Sequence, residues 1–291
     1  MPKLERVFGG YASGPVLGVA FGLLFIVGSV VVGTHSLIAF FSIEGLVIVG
    51  GGVIAVAFMS FEAADVRAAL NAIAGMFRQP ASADDLRKDM MEIIAWAYMV
   101  KEKGMRRLES SLAKRGITDP FVKYGLNMVI SEYSPEEVRA MMETAADACH
   151  ERDSVPVDVL QTMTSHAPAF GMIGTLVGMV AMLCSLNENV ASIGSSLSVA
   201  FLSTLYGVLS ARLIYMPAAA KLRQVIAKRR FRNQLITEGM VMLVSDKSPM
   251  YVKDRLNSFL RPEHHDYLDH FGAEPDGDPV REPPHLKVVG A

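Results

Sequence analysis

The chain has 291 residues, 51% of them apolar and 20% charged, with a mean hydropathy of +0.30 and a formal net charge of −2. A soluble domain of this length is less apolar and richer in charge. The missing basic excess argues against a nucleic-acid binder, and two cysteines exclude a disulfide scaffold or a cysteine-based zinc site. Long uncharged runs alternate with stretches dense in Lys, Arg, Asp and Glu, the pattern of an integral membrane protein whose first partner is the lipid bilayer.

Four runs meet the length of about 20 apolar residues that one helical span requires. Residues 1–61 hold the first two, from about Val16 to Val32 and from about Gly45 to Phe61. The first follows Lys3 and Arg6 but is longer than a signal-peptide core and lacks an Ala-x-Ala site, so it reads as an uncleaved helix. Residues 167–217 hold the third, Ala167 to Leu186, and the fourth, Ile193 to Pro217. Of the 28 Lys and Arg, 2 precede the first span, 13 lie in 62–166, 12 lie in 218–291, and one is Arg212. The connections around 33–44 and 187–192 carry none, so the positive-inside rule places both termini and the 62–166 segment in the cytoplasm.

The 62–166 segment reads as a helical domain. Ser82 with Asp84 and Asp85 predicts a helix start, and the helix is expected to run to a C-cap at Gly116. Ser134-Pro135-Glu136-Glu137 is a capping box with Pro at the first helical position. That helix points toward the third span, with a kink expected at Pro156. Amphipathic helices continue over 218–261. Residues 262–291, with 5 Pro and 7 acids, read as a disordered tail in which His264, His265 and His270 are solvated. The fold class is therefore all-α, with four transmembrane helices, a cytoplasmic helical domain between the second and third, and a cytoplasmic C-terminal helical region.

The spans lack Asp, Glu, Lys and His in their interiors, with Glu44 at the outer edge of the second and Arg212 near the inner end of the fourth. A proton relay needs a titratable group within the bilayer, so either the chain conducts nothing or a partner brings the carboxylate. Gly171, Gly174 and Gly178 form a small face on the third span. Ser196, Ala200, Ser203, Thr204, Gly207 and Ala211 form a small, partly polar stripe on the fourth. Such faces let helices approach closely in lipid, within the chain or against a partner helix; the hydroxyls favour the partner. Thr175 and Thr204 offer uncharged oxygens that, repeated around an axis, line a hydrated path beside another subunit's acid. Measured from Pro168 and Pro217, they lie about 10 Å and about 20 Å up their helices, which predicts two successive layers. No metal site and no enzyme are expected: Cys184 has no His or acid partner in its span, and His166 sits at the cytoplasmic mouth.

The run Pro168-Ala169-Phe170-Gly171-Met172-Ile173-Gly174-Thr175-Leu176-Val177-Gly178, with Leu202-Ser203-Thr204-Leu205-Tyr206-Gly207 and Pro217, closely resembles the MotA/PomA stator subunits of the bacterial flagellar motor. The resemblance extends over about residues 10–262. It implies a homopentamer around two MotB/PomB-like subunits, each supplying an ion-carrying aspartate, in the bacterial inner membrane. Ion flow through that aspartate would turn the ring against a FliG-like rotor switch protein. It makes Pro168 and Pro217 the residues coupling ion passage to shape change, and puts Thr175 and Thr204 on the ion path. Gly104 and Glu109 match the family's glycine and torque-generating glutamate. Lys101 stands where the family has arginine, and Arg106 and Arg107 add charge beside it. No cofactor is implied, only a transported Na⁺ or H⁺. Threonine at the position of Thr175 favours sodium, because sodium-driven relatives have it where many proton-driven ones have alanine. The competing readings are an ExbB/TolQ-like or gliding-motility energy transducer and a purely structural scaffold. ExbB/TolQ relatives have three spans and their large loop after the first, which this sequence does not match; a gliding-motility stator stays open, because sequence does not show which rotor is used.

Overall fold

A computed structural model describes residues 40–76, 83–115, 118–185 and 190–259, with positions 18, 21, 22, 24, 25 and 28 of the first apolar run. Those six positions are helical, and Gly22 lies against Leu213. The rest of the first span, the helix start at Ser82, the expected cap at Gly116 and the tail from 262 lie outside the described residues.

The described residues contain helices and no strand. Helix α1 (Ile43–Ser60) starts at Ser42, whose hydroxyl accepts the Gly45 N–H, and passes through a π turn at Val47–Gly51. Next come α2 (Ala63–Gly75), α3 (Ala83–Lys103), α4 (Met105–Arg115) and α5 (Pro120–Ile130). Helix α6 (Pro135–Cys184) is 50 residues long and is continuous through Pro156 and Pro168. Its capping box forms as expected: Ser134 accepts the Glu137 N–H while the Glu137 carboxylate accepts the Ser134 N–H at 2.9 Å. Helix α7 (Val190–Leu209), a π segment (Ser210–Tyr215) and α8 (Met216–Val244) follow without interruption, and α9 (Pro249–Asn257) ends the described chain. Among the described residues three helices are long and apolar enough to cross a membrane: Ile43–Ser60, Pro135–Cys184 and Ile193–Val244. The last two continue far past their apolar runs. The apolar runs at 167–186 and 193–217 are thus the upper halves of two rods whose lower halves carry the polar end.

Two cores form along these rods. The polar-end core joins Trp96 and Ile93 of α3, Leu108 of α4, Leu126 of α5, Met142 of α6, Leu235 and Met240 of α8 and Leu256 of α9. The 62–166 and 218–261 segments therefore share one core. The second core, nearer the apolar runs, joins Val53, Ala57 and Val66 to Leu160, Met163, Ala167 and Ala211.

One helix departs from the sequence reading. The helix expected to run unbroken to Gly116 stops at Lys103, because Gly104 adopts φ +75° and donates its N–H back to the Val100 carbonyl at 3.0 Å. This left-handed cap costs a residue with a Cβ about 1–2 kcal/mol. Nothing lies within 4 Å of a Cβ built there, so Gly104→Ala is expected to lose that amount through backbone strain alone. Chemical denaturation of the detergent-purified chain checks this; unchanged stability contradicts the cap.

Candidate functional site

The small residues of the third and fourth spans meet one another. Gly171, Gly174 and Gly178 on α6, and Ala200, Ser203 and Gly207 on α7, are all buried. A Cβ on Gly207 would stand 2.5 Å from the Ala167 carbonyl oxygen and 3.1 Å from the Gly171 Cα. One on Gly178 would meet the Ala200 nitrogen at 2.7 Å, and one on Gly174 would strike the Ser203 side chain. From the sequence these residues suit packing within the chain or against a partner helix, and among the described residues they pack against one another. The two small faces are complementary and are consumed in the chain's own α6–α7 seam, where glycines bring the backbones into contact.

At the edge of this seam Thr175 and Thr204 are only half-buried, and their hydroxyl oxygens lie 2.5 Å apart. The Thr175 hydroxyl is 3.1 Å from the Gly171 carbonyl and 3.3 Å from that of Ala200; Thr204 reaches Gly171 at 3.3 Å. Four neutral oxygens thus converge with only two hydroxyl protons among them. The sequence placed these threonines in successive layers, and the structure puts them in one. The error lay in treating Pro168 and Pro217 as equally deep. Pro168 lies across from Ala211 and Arg212, with which it lines a shared groove. Seven residues, or about 10 Å, separate Pro168 from Thr175 and Ala211 from Thr204 alike, so the antiparallel helices bring both hydroxyls to one level.

Tyr206, in the same motif, has a role that sequence reasoning did not assign. Its hydroxyl donates to the Phe40 carbonyl at 2.6 Å and accepts the Ser42 N–H at 2.9 Å, fastening the start of α1 to α7. Gly45 packs against the Tyr206 ring and the Ser203 backbone, while neighbouring Glu44 is exposed. The available signal was a phenol within a membrane-length run, whose hydroxyl requires a polar contact where it is taken out of water.

The charges around Gly104 occupy an exposed corner. Leu108 is fully buried and anchors α4, which leaves Arg106, Arg107 and Glu109 pointing outward. Lys101 lies 3.4 Å from the Asp246 carboxylate, with both side chains exposed, so this pair adds little stability. The basic run read from the sequence as a topology signal turns out to tie helices together. Arg229 pairs with Asp153 at 2.8 Å and Arg230 with Asp147 at 2.9 Å. Arg232 clamps Asp89 through Nε and Nη2 and Asp119 through Nη1. Arg139 grips Glu238 bidentately at 2.6 and 3.1 Å. Burial pushes the Asp119 carboxyl up, but the hydrogen bond and charge of Arg232, with the Phe121 and Val122 N–H groups, hold it below the ordinary range. Glu238 is lowered chiefly by its hydrogen bond from Arg139.

No group of three or more His, Cys, Asp or Glu placed to hold a metal occurs among the described residues. The model of the MotA/TolQ/ExbB proton channel family matches residues 113–260, just over half of the chain. Motility protein A of Borreliella burgdorferi is 33% identical over 177 residues, covering 61% of this chain and 67% of that protein. Chemotaxis protein PomA of Vibrio alginolyticus is 29% identical over 248 residues, covering 84% and 94%. The fold is that of the solved flagellar MotAB stator complex of Bacillus subtilis, with a TM-score of 0.76 at 20% identity over 89% of this chain and 100% of the solved one. A match through the α6–α7 seam and its threonine edge, with identity at this level over most of two relatives' lengths, assigns the chain: it belongs to the MotA/TolQ/ExbB proton channel family.

Proposed function

We propose that this chain is a stator subunit of the flagellar motor, which conducts an ion with a MotB-like partner and turns that flow into torque on the rotor. The observation that carries the reading is the half-buried Thr175–Thr204 pair. It is a cluster of uncharged oxygens at the edge of a packed two-helix seam, on spans that contain no acid of their own. Such an edge binds a cation only beside a carboxylate supplied from outside. The partner's single aspartate-bearing span is that source.

In this reading four spans cross the bacterial inner membrane, both termini and the shared polar-end core are cytoplasmic, and five copies surround the partner helices. Lys101, Arg106, Arg107 and Glu109, set on the two sides of the Gly104 break, face the FliG-like rotor protein. Pro168 and Pro217 are the points at which the rods flex, since each removes a helical hydrogen bond. The chain performs no covalent chemistry. Sodium is the favoured ion, because four converging neutral oxygens suit a hard cation, and Thr175 supplies one that an alanine would lack.

Swimming speed in a stator-deleted flagellated strain carrying this chain and its MotB-like partner tests the reading. Sodium is varied at fixed ionic strength, with a proton uncoupler added in parallel. Speed is expected to follow sodium. Thr175→Val, which removes one hydroxyl, is expected to raise the half-saturating sodium concentration roughly tenfold, the size of one lost polar contact. Speed indifferent to sodium and abolished by the uncoupler makes protons the ion. An assembled complex that turns nothing, and tolerates Thr204→Leu without change, is a scaffold.

A further inference from the structure

Below the hydroxyl pair, a groove of about 500 Å³ opens between α6 and the π segment with α8, lined by Thr164 and Pro168 on one side and Ala211, Arg212 and Arg223 on the other. We infer that this groove is where the carried cation leaves for the cytoplasm, and that Arg212 drives its release by stabilising the partner's emptied carboxylate. The inference rests on the stator reading and adds to it a release site and the residue responsible.

Register places the groove on the path. Pro168 lies seven residues below Thr175, and Ala211 seven below Thr204, two helical turns in each case. Gly207 packs against Ala167 and Gly171 between the two levels, so the hydroxyl edge and the groove share one seam. The groove wall offers oxygen to a departing ion. Pro168 has no N–H, which leaves the Thr164 carbonyl without its helical donor. The Thr164 hydroxyl donates to the Leu160 carbonyl at 2.7 Å, which keeps its own lone pairs available.

Among the described residues the charge in the groove has no acidic partner. Farther along α8, Arg229, Arg230 and Arg232 each hold a carboxylate. Arg212 reaches only the Met216 sulfur, at 3.6 Å, and neither it nor Arg223 has a carboxylate partner among the described residues. Arg212 and Arg223 are both exposed along the groove, and two like charges on one wall raise its positive potential. A carboxylate holding its cation is neutral, and one that has released it is negative, so that potential favours the empty form. At the threonine level neutral oxygens support the bound ion; two turns lower, the guanidinium displaces it. For sodium the ion passes from carboxylate oxygen to groove water. For a proton the carboxylic O–H breaks heterolytically and water takes the proton, with no redox change.

The test uses the assembled complex with its partner, in a Cys149→Ser/Cys184→Ser background bearing Thr164→Cys. Inside-out vesicles are labelled with an anionic sulfonatoethyl or a cationic trimethylammonioethyl methanethiosulfonate. The anionic reagent is expected to react at least about tenfold faster, relative to an exposed reference cysteine. Arg212→Gln should bring the ratio close to parity, and Arg212→Lys should preserve it. In swimming cells Arg212→Gln should lower both the half-saturating ion concentration and the top speed, as slower release demands, with Lys restoring both. Charge-indifferent labelling while Arg212 is intact overturns the inference, and that measurement needs no Arg212 variant to fold. So does an Arg212→Gln motor with an unchanged or raised half-saturating concentration. No motility from the otherwise unaltered pair sinks the stator reading and this one together; motility with indifferent labelling sinks this one alone.

Discussion

Gly207→Val is expected to force α6 and α7 apart and to destabilise the complex markedly. The new Cβ would sit 2.5 Å from the Ala167 carbonyl oxygen and 3.1 Å from the Gly171 Cα. Both obstacles are backbone, so no rotamer change makes room, and the helices themselves must move. Overpacking a well-filled site typically costs about 1–3 kcal/mol, and a rigid backbone obstacle puts this case near the upper end, about 3 kcal/mol. The damage reaches the oxygen cluster, because Thr175 and Thr204 touch only while the seam above Gly207 is closed. Gly194→Val is the control: it lies on the same helix, and a Cβ there has no neighbour within 4 Å. Thermal aggregation of the detergent-purified complex, followed by size exclusion, compares the two. Equal stability of the two variants would show that the seam does not depend on close backbone approach.

Arg232→Ala carries the second large effect, at the polar end. One guanidinium holds Asp89 of α3 through one edge and Asp119, the N-cap of α5, through another. Its removal leaves two partly buried carboxylates facing each other without a cation. Breaking a buried pair costs about 3–5 kcal/mol, and the quarter exposure of Arg232 reduces this to about 2–3 kcal/mol, a fall in Tm of about 5–10 °C. Arg232→Lys keeps the charge but loses the fork that serves two acids, so an intermediate loss is expected. The pH dependence follows from the same contacts. The folded state holds Asp119 and Glu238 below their ordinary values, so their contribution is complete above the ordinary carboxylate range, near pH 4–4.5. It is lost as pH falls through that range toward their lowered folded values. Tm measured from pH 7 down to 3.5 should therefore drop more steeply in the native chain than in Arg232→Ala. Parallel curves would show that Arg232 does not hold the Asp119 proton off.

How far the sequence could be read depends on the range of the interaction involved. The capping box at Ser134 was legible because its donors and acceptors lie within four residues. The all-helical character followed from caps and from apolar runs of helical-span length, for the same local reason. Gly104 was visible as a family glycine, but the helix was still drawn through it, since a lone glycine among good helix formers does not announce a positive φ. The cluster ending in Arg232 was read as a topology signal. Its acids, Asp89 and Asp119, stand 143 and 113 residues away, and linear spacing carries no trace of such pairs. The threonines were picked out as uncharged ligands, yet placed in the wrong layers, because each was measured from a proline on its own helix.

The sequence by itself determined which segments are apolar enough to span a bilayer, that the spans lack an internal acid, and which residues are small or hydroxylated. These follow from composition and from the roughly 20-residue length that hydrocarbon thickness imposes. Tertiary structure alone decided that the small faces close on each other, that Thr175 meets Thr204, and that Arg212, in a groove beneath them, has no carboxylate partner among the described residues. The physical reason is the offset between antiparallel rods. It is set by where glycines let backbones touch, and a shift of one turn, about 5.4 Å, would give every one of these residues a different neighbour.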